Sequence, residues 1–222
     1  SWVAWSLVGA TATAGLACGS LGINVAHELG HRPQTAPRWA SWALLLSTHY
    51  LHFSIEHNRG HHARVATPDD PATARLGETV FAFWVRSIRD SWRSAWALED
   101  HRLRKLAHPR RSPHNMMVRF TAVQVLSVLG VGLVLGPVAA GAWLVVSLIG
   151  ILLLETVNYV EHYGLQREQL PNGRYARTRP AHSWNSERPL GRVLLLDVTR
   201  HSDHHAHASR PYPVLRHHEA AP

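Results

Sequence analysis

A single cysteine among 222 residues removes two kinds of structure at the outset. Cys18 has no second thiol to pair with, so no disulfide frames the fold and no thiolate metal site can be built. Lysine is as scarce, since only Lys105 among the 23 basic side chains is not arginine. Charge as a whole is thin, at 17% of residues where soluble domains carry roughly 25%. It is missing altogether from three stretches, 2–26, 39–55 and 120–154. Acidic residues number 15, leaving a net charge of +8 with histidine neutral. No recognisable nucleic-acid module accompanies this excess, so nucleic-acid binding is set aside. The cytoplasmic face of a membrane protein, or a docking surface for an acidic partner, fits it better. The chain begins at Ser1 on the edge of an apolar run, without an initiator Met, and reads as part of a longer protein.

The uncharged stretches set the expected architecture. The run 2–26 exceeds the ~20 residues that cross a bilayer, and it lacks the basic start of a signal peptide. Stretch 39–56 is of marginal length and holds His49 and His52, so it reads as a re-entrant or interfacial helix. Over 78–105, aromatic residues and arginines interleave at helical spacing, as in an amphipathic helix at the membrane surface. Residues 116–162 form a transmembrane hairpin turned at Gly136-Pro137. That turn bears no Lys or Arg while the other connections are basic, which puts it outside and the remaining polar segments in the cytoplasm. A last helix is expected over 189–207. The fold class is all-α, an integral membrane helical bundle forming one domain over 1–222, cut short at both ends.

What is abundant is histidine, 18 residues in all. They gather where apolar runs end: His27 and His31; His57, His61 and His62; His162; and His201, His204 and His205. Residues three or four apart share a helix face, whereas His204 and His205 diverge by about 100°. One ion does not take both neighbours together with His201, but two ions side by side can. Nine neutral imidazoles suffice for two metals with four or five nitrogens each. Donors of this softness suit Fe, Zn, Cu or Ni, and spacing does not choose among them. Scattered surface histidines account for His101, His108, His114, His182, His217 and His218, but not for i, i+4 pairs at the ends of apolar segments. His27-Glu28-Leu29-Gly30-His31 also spells the H-E-x-x-H of zinc metalloproteases, with Glu28 as the base. An intramembrane protease would leave the other clustered histidines without a role. A metal store or transporter would need a path across the bilayer.

The boxes HELGH (27–31), HNRGHH (57–62) and HSDHH (201–205) resemble the histidine boxes of the membrane di-iron hydroxylase and desaturase superfamily. The longer forms EHNRGHHARVATPDDPATARLGE (56–78), NYVEHYGL (158–165) and RHSDHHAH (200–207) resemble AlkB-type alkane 1-monooxygenases over nearly the whole chain. The resemblance implies a desaturase-like bundle with a cytoplasmic site of two non-haem irons, ligated by the nine histidines named above. His207 matches no ligand position. Together with Glu28, Glu56 and Glu161, each preceding a ligand histidine, it is expected to order imidazoles by hydrogen bonding.

The implied reaction is O2-dependent terminal hydroxylation of medium- or long-chain n-alkanes. Fatty-acyl desaturation and xylene-type hydroxylation are the alternatives within the superfamily. The implied electron donor is rubredoxin, reduced by an NAD(P)H-dependent rubredoxin reductase. Arg102, Arg104, Lys105, Arg110 and Arg111 are the expected docking surface for that acidic protein, with lipid headgroups as the competing occupant. The expected location is a bacterial inner membrane, with apolar substrate arriving from the bilayer and membrane lipids around the helices.

Overall fold

The computed structural model describes residues 2–219 and 221–222. Among them no β-strand forms, and one isolated antiparallel bridge joins Gln169 to Tyr175. The first apolar run becomes α1 (Trp2–Ala17), a π turn over Cys18–Gly22, and α2 (Ile23–Gly30) without a break in the chain path. Inside it, Ser20 Oγ donates to the Leu16 carbonyl and Asn24 Nδ2 to the Ser20 carbonyl. Such back-bonding competes with the helix's own ladder and favours a local change of register. Beside this turn the rod crosses α8 (Pro137–His162) at backbone contact. A Cβ on Gly19 would stand 2.9 Å from Gly150 Cα, so neither glycine leaves room for a side chain.

Helix α7 (Met116–Leu135) starts at Asn115, whose Oδ1 accepts from the backbone N–H of Met117 at 2.8 Å and of Val118 at 3.3 Å. It ends at Gly136, whose φ of +89° glycine adopts without strain, and Pro137 opens α8 where a missing N–H costs nothing. Three helices are long and apolar enough to cross a membrane: Ala4–Gly30, Met116–Leu135 and Pro137–His162. Their outward faces are apolar, as with Leu133 at 88% and Val134 at 81% exposure. That is the surface a lipid-facing helix presents.

The stretch 39–56 is not one helix. Helix α3 (Thr35–Leu46) stops, residues 47–52 turn, and α4 (Phe53–Glu56) restarts. The hydroxyls of Ser47 and Thr48 take the carbonyls of Leu44 and Leu45, and Tyr50 N–H returns to Leu45. With those acceptors occupied, α3 cannot propagate. At 12 residues it reaches only about 18 Å, well short of a bilayer. A π turn over His57–His61 and the short α5 (His62–Arg64) follow.

Helix α6 (Val80–Lys105) is capped by Thr79 and buries Phe83, Ser87, Ser91, Ala95, Glu99 and Leu103, a row at four-residue spacing. Its tryptophans flank this row, and Phe81 points outward. The expected helix over 189–207 is divided into α9 (Pro189–Leu194) and α10 (His201–Ala206). Between them Leu196 and Asp197 take left-handed φ values of 53° and 64°, and Asp197 N–H folds back to the Arg192 carbonyl. The break re-aims α10 beneath the ends of α2 and α8. The main core lies beside it, built from Ile23, Leu45, Tyr50, Phe53, Met117, Phe120 and Leu154.

Candidate metal centre

The nine histidines meet as two clusters. His27, His31, His57, His62 and His204 form one, and His61, His162, His201 and His205 the other. Every imidazole turns Nε2 inward. In the five-histidine cluster the Nε2 separations are 3.0 Å for His27–His204, 3.3 Å for His31–His57, 2.9 Å for His57–His62 and 3.2 Å for His62–His204. In the four-histidine cluster they are 3.1 Å for His61–His205, 3.2 Å for His162–His201 and 2.9 Å for His201–His205.

The division between clusters follows from backbone geometry. His27 on α2 and His31, the residue capping its end, share a face as helical periodicity requires. On α10, His201 and His205 share a face while His204, one residue earlier than His205, looks into the other cluster. The middle box departs from α-helical arithmetic. Across the π turn the His62 N–H bonds the His57 carbonyl, five residues back. Residues five apart are thereby stacked, so His57 pairs with His62 and His61 is released to the other cluster. Spacing alone pairs His57 with His61, and the structure corrects that pairing.

Two residues that spacing did not single out hold ligand-position imidazoles from behind. Asp70 Oδ2 accepts from His61 Nδ1 at 2.9 Å, and is fixed in turn by Thr73 Oγ1 at 2.6 Å and Ala72 N at 3.3 Å. Tyr212, brought back by the chain after α10, meets His27 Nδ1 at 2.7 Å. The only hint in the sequence was the acidic pair Asp69-Asp70 shortly after a box, and nothing pointed to Tyr212.

The residues expected to order imidazoles fare differently. Glu28 is held by Arg32, and Glu56 accepts from Arg64 at 2.6 Å and Ser94 at 3.0 Å. Neither bonds a ligand-position imidazole, because each has a nearer cation or hydroxyl. His207 Nδ1 lies 3.2 Å from Asp203 Oδ1, beside Arg210 and His218, and so helps to anchor α10. Glu161 alone approaches the clusters, with Oε2 3.3 Å from His201 Nε2. Of the five basic residues at the end of α6 and beyond, Arg102 is bound to Glu99 and Arg110 to Asp100. Arg104, Lys105 and Arg111 stand exposed.

Burial disfavours the charged form of these imidazoles, and at all of them but His61 it decides the direction. It holds His31 down at about 4, with His61 and Arg32 adding to the effect. His57, His62, His201, His204 and His205 lie well below the usual value for the same first reason, followed by their imidazole neighbours. At His61 burial pulls downward too, but the Asp70 carboxylate and its hydrogen bond outweigh it, and the net direction is up. Neutral, nitrogen-only donors suit borderline transition metals. Donors about 2.1 Å from one ion and about 90–109° apart lie about 3.0–3.4 Å from each other, and the Nε2 separations match that range. Nine buried or half-buried imidazoles converging through Nε2 at these separations, in one group of five and one of four, make a donor set that fits a pair of metal ions.

Helices of bilayer length around paired histidine clusters define a class, the helical membrane proteins with histidine-box metal centres. Within that class the chain belongs to the fatty acid desaturase family, whose model matches residues 1–221. It is 42% identical over 208 residues to alkane 1-monooxygenase 2 of Pseudomonas aeruginosa, covering 94% of this chain and 55% of that protein. Alkane 1-monooxygenase 1 of Alcanivorax borkumensis is 42% identical over 196 residues, 88% of this chain and 48% of that one. The xylene/toluene monooxygenase hydroxylase component of Pseudomonas putida is 29% identical over 204 residues, 89% of this chain and 52% of its own. The chain spans about half the length of the curated relatives it matches.

Proposed function

We propose that this chain is the catalytic core of an O2-dependent hydroxylase that converts medium- or long-chain n-alkanes to 1-alkanols. The observation carrying the proposal is the paired set of nine inward-facing Nε2 atoms in a chain about 40% identical to alkane 1-monooxygenases. The ions are assigned as iron: His27, His31, His57, His62 and His204 would hold one, and His61, His162, His201 and His205 the other. When bound, the pair supplies the redox capacity to reduce O2 and oxidise an unactivated C–H bond. The balance is alkane, O2, two electrons and two protons giving alcohol and water.

The chain's own residues do the rest. Asp70 fixes the tautomer and ring plane of His61, and Tyr212, whose hydroxyl can accept from Nδ1, holds the ring plane of His27. An apolar cavity of about 260 Å³ between α3 and α7, lined by Trp39, Trp42, Leu46, Leu51, Phe120 and Val123, offers the alkyl chain a dry path from the bilayer. Trp42, Met116 and Phe120 also line the neighbouring cleft that contains His31, which links this path to the five-histidine cluster.

Electrons are assigned to rubredoxin and its NAD(P)H-dependent reductase. Arg102, on the rim of the His31 cleft, with Arg104, Lys105 and Arg111 beyond it, forms the approach surface. The site faces the cytoplasm from a bacterial inner membrane. The reading is tested with the full-length protein, rubredoxin and reductase supplied with octane, hexadecane and an acyl lipid. Mass analysis should find 1-octanol or 1-hexadecanol. An unsaturated acyl lipid with no alcohol would assign the core to desaturation instead.

A further inference from the structure

Six aromatic rings stand in one continuous row between the five-histidine cluster and the basic surface beyond α6. His57 stacks on Phe53 with ring centroids 4.7 Å apart, and Phe53 on Tyr50 at 6.3 Å. Tyr50 meets His52 at 4.3 Å, His52 meets Trp92 at 5.2 Å, and Trp92 meets Trp96 at 6.2 Å. Arg110 lies over the outermost ring, its guanidinium carbon 5.7 Å from the Trp96 centroid. Trp92 and Trp96 line an open cleft together with Arg110 and Arg111. The row thus starts at a ligand-position imidazole and ends at an exposed, basic surface.

Packing accounts for the rings but not for their polar fittings. Tyr50 is 2% exposed, and its hydroxyl donates to Glu155 Oε1 at 2.8 Å, a carboxylate itself withdrawn from water. Phenylalanine would fill the same space without burying a hydroxyl and a carboxylate, both of which cost free energy to desolvate. A phenol bonded to a carboxylate is a group prepared for oxidation, because it gives up an electron readily when its proton has an acceptor. Both residues border the small space that reaches His57 and His61.

Ring chemistry sets what the row can conduct. Indole and phenol rings lose one electron to a strong oxidant, whereas no biological donor reduces them. The row is therefore suited to discharging a strong oxidant, not to relaying electrons by way of reduced rings. Attack on an unactivated C–H bond, the chemistry proposed above, demands an oxidant strong enough to oxidise either ring. When no substrate is in place, the ligand-position imidazoles are the groups closest to that oxidant.

We infer that Tyr50, Trp92 and Trp96 form an escape route that carries oxidising equivalents from an unproductive metal centre to the basic surface. The inference rests on the hydroxylase reading above. Tyr50 gives one electron to the centre and its hydroxyl proton to Glu155, leaving a neutral phenoxyl radical. Trp92 refills Tyr50 with an electron across His52 while Glu155 returns the proton, and Trp96 refills Trp92. An external one-electron reductant, such as a thiolate, restores Trp96 at the surface. Two such passages, with two protons from solvent, convert to water the oxygen atom that would have entered the substrate.

The test uses the full-length protein in nanodiscs, loaded with ferrous iron and mixed with O2 in the absence of alkane. Freeze-quenched parent should show an organic radical by electron paramagnetic resonance, and peptide mapping should find oxidation at Trp96 ahead of the histidines. Tyr50→Phe and Trp92→Phe keep a ring at each place but remove its readily lost electron. In both, the radical signal should be lost, and oxidised histidine should accumulate at His57 and its neighbours several-fold faster than in the parent. Trp96→Phe, at the half-buried outer end, disturbs packing least and should move the tryptophan oxidation inward to Trp92. With octane or hexadecane present the C–H bond consumes the oxidant, so alcohol formed per O2 should match the parent in all three variants. The same radical and the same histidine damage in parent and variants would overturn the inference, as would a parent that consumes O2 without forming a radical. Equal losses of alcohol with alkane present would overturn it too, since the rings would then only support the packing. A parent that takes up iron but consumes no O2 would instead sink the hydroxylase reading itself, and this inference with it.

Discussion

Asp70 shows how much one side chain behind an imidazole decides. Its carboxylate fixes which nitrogen of His61 carries the proton, leaving Nε2 free to donate its lone pair. Asp70→Asn preserves the shape but presents an amide that can turn either face to Nδ1. Metal affinity measured by chelator competition should fall about 10–100-fold; unchanged affinity would mean that packing alone orients His61. His52 is a different case, buried against Tyr50 and Trp92 with neither ring nitrogen bonded. Burial holds it down at about 3 from 6.5. The unfolded chain therefore takes up a proton in that window that the folded chain refuses. Stability then falls as pH drops below 6.5, by about 1.4 kcal/mol per pH unit, and the loss is complete near the folded value. His52→Phe should flatten the decline in melting temperature of the metal-free protein between about pH 7 and pH 5. Parallel declines in parent and variant would show that His52 is not the group responsible.

At the scale of the element, the π turn over His57–His61 is the decisive feature. Deleting Asn58 should convert it to an α turn and swing His57 by about 100° relative to His61 and His62. The five-histidine cluster would then lose a member while the four-histidine cluster kept all of its own. Metal analysis should find about one ion per chain, with the spectrum of the remaining site unchanged. Retention of both ions would mean that the turn tolerates either register. This is also where the sequence was least legible. Histidine identity and approximate place were plain from HNRGHH, but helical spacing assigned His57 the wrong companion, because one extra residue in a turn leaves no mark in periodicity. The ends of α3 and α9 were hidden for a related reason: hydroxyl and backbone groups outside the apolar pattern took the terminal carbonyls.

For the whole molecule, the structure refines the basic surface expected after α6. Arg102 and Arg110 are engaged by Glu99 and Asp100, so much of their field is already offset. Arg104, Lys105 and Arg111 are exposed and would carry the attraction for an acidic donor. Replacing those three with Gln should raise the rubredoxin concentration needed for half-maximal turnover without changing metal content. Added salt should produce the same shift in the parent, because the Debye length is only about 10 Å at 0.1 M. A variant that matches the parent at every donor concentration would assign the patch to lipid headgroups.

Several features were set by the sequence alone. Runs without charge must leave water, which made 2–26 and the hairpin around Gly136-Pro137 legible as helices of bilayer length. Histidines at the ends of those runs cannot be explained by burial or by solvation, so their identity as a group was equally plain. Tertiary structure alone decided how the histidines divide. His27 and His204 are 177 positions apart in the chain, and their Nε2 atoms come within 3.0 Å only because the break between α9 and α10 re-aims the second helix. Asp70, Tyr212 and Glu161 acquired their places in the same way. Periodicity records which residues share a face of one element, but it carries no information about which faces of distant elements are pressed together, and a ligand cluster is defined by that contact.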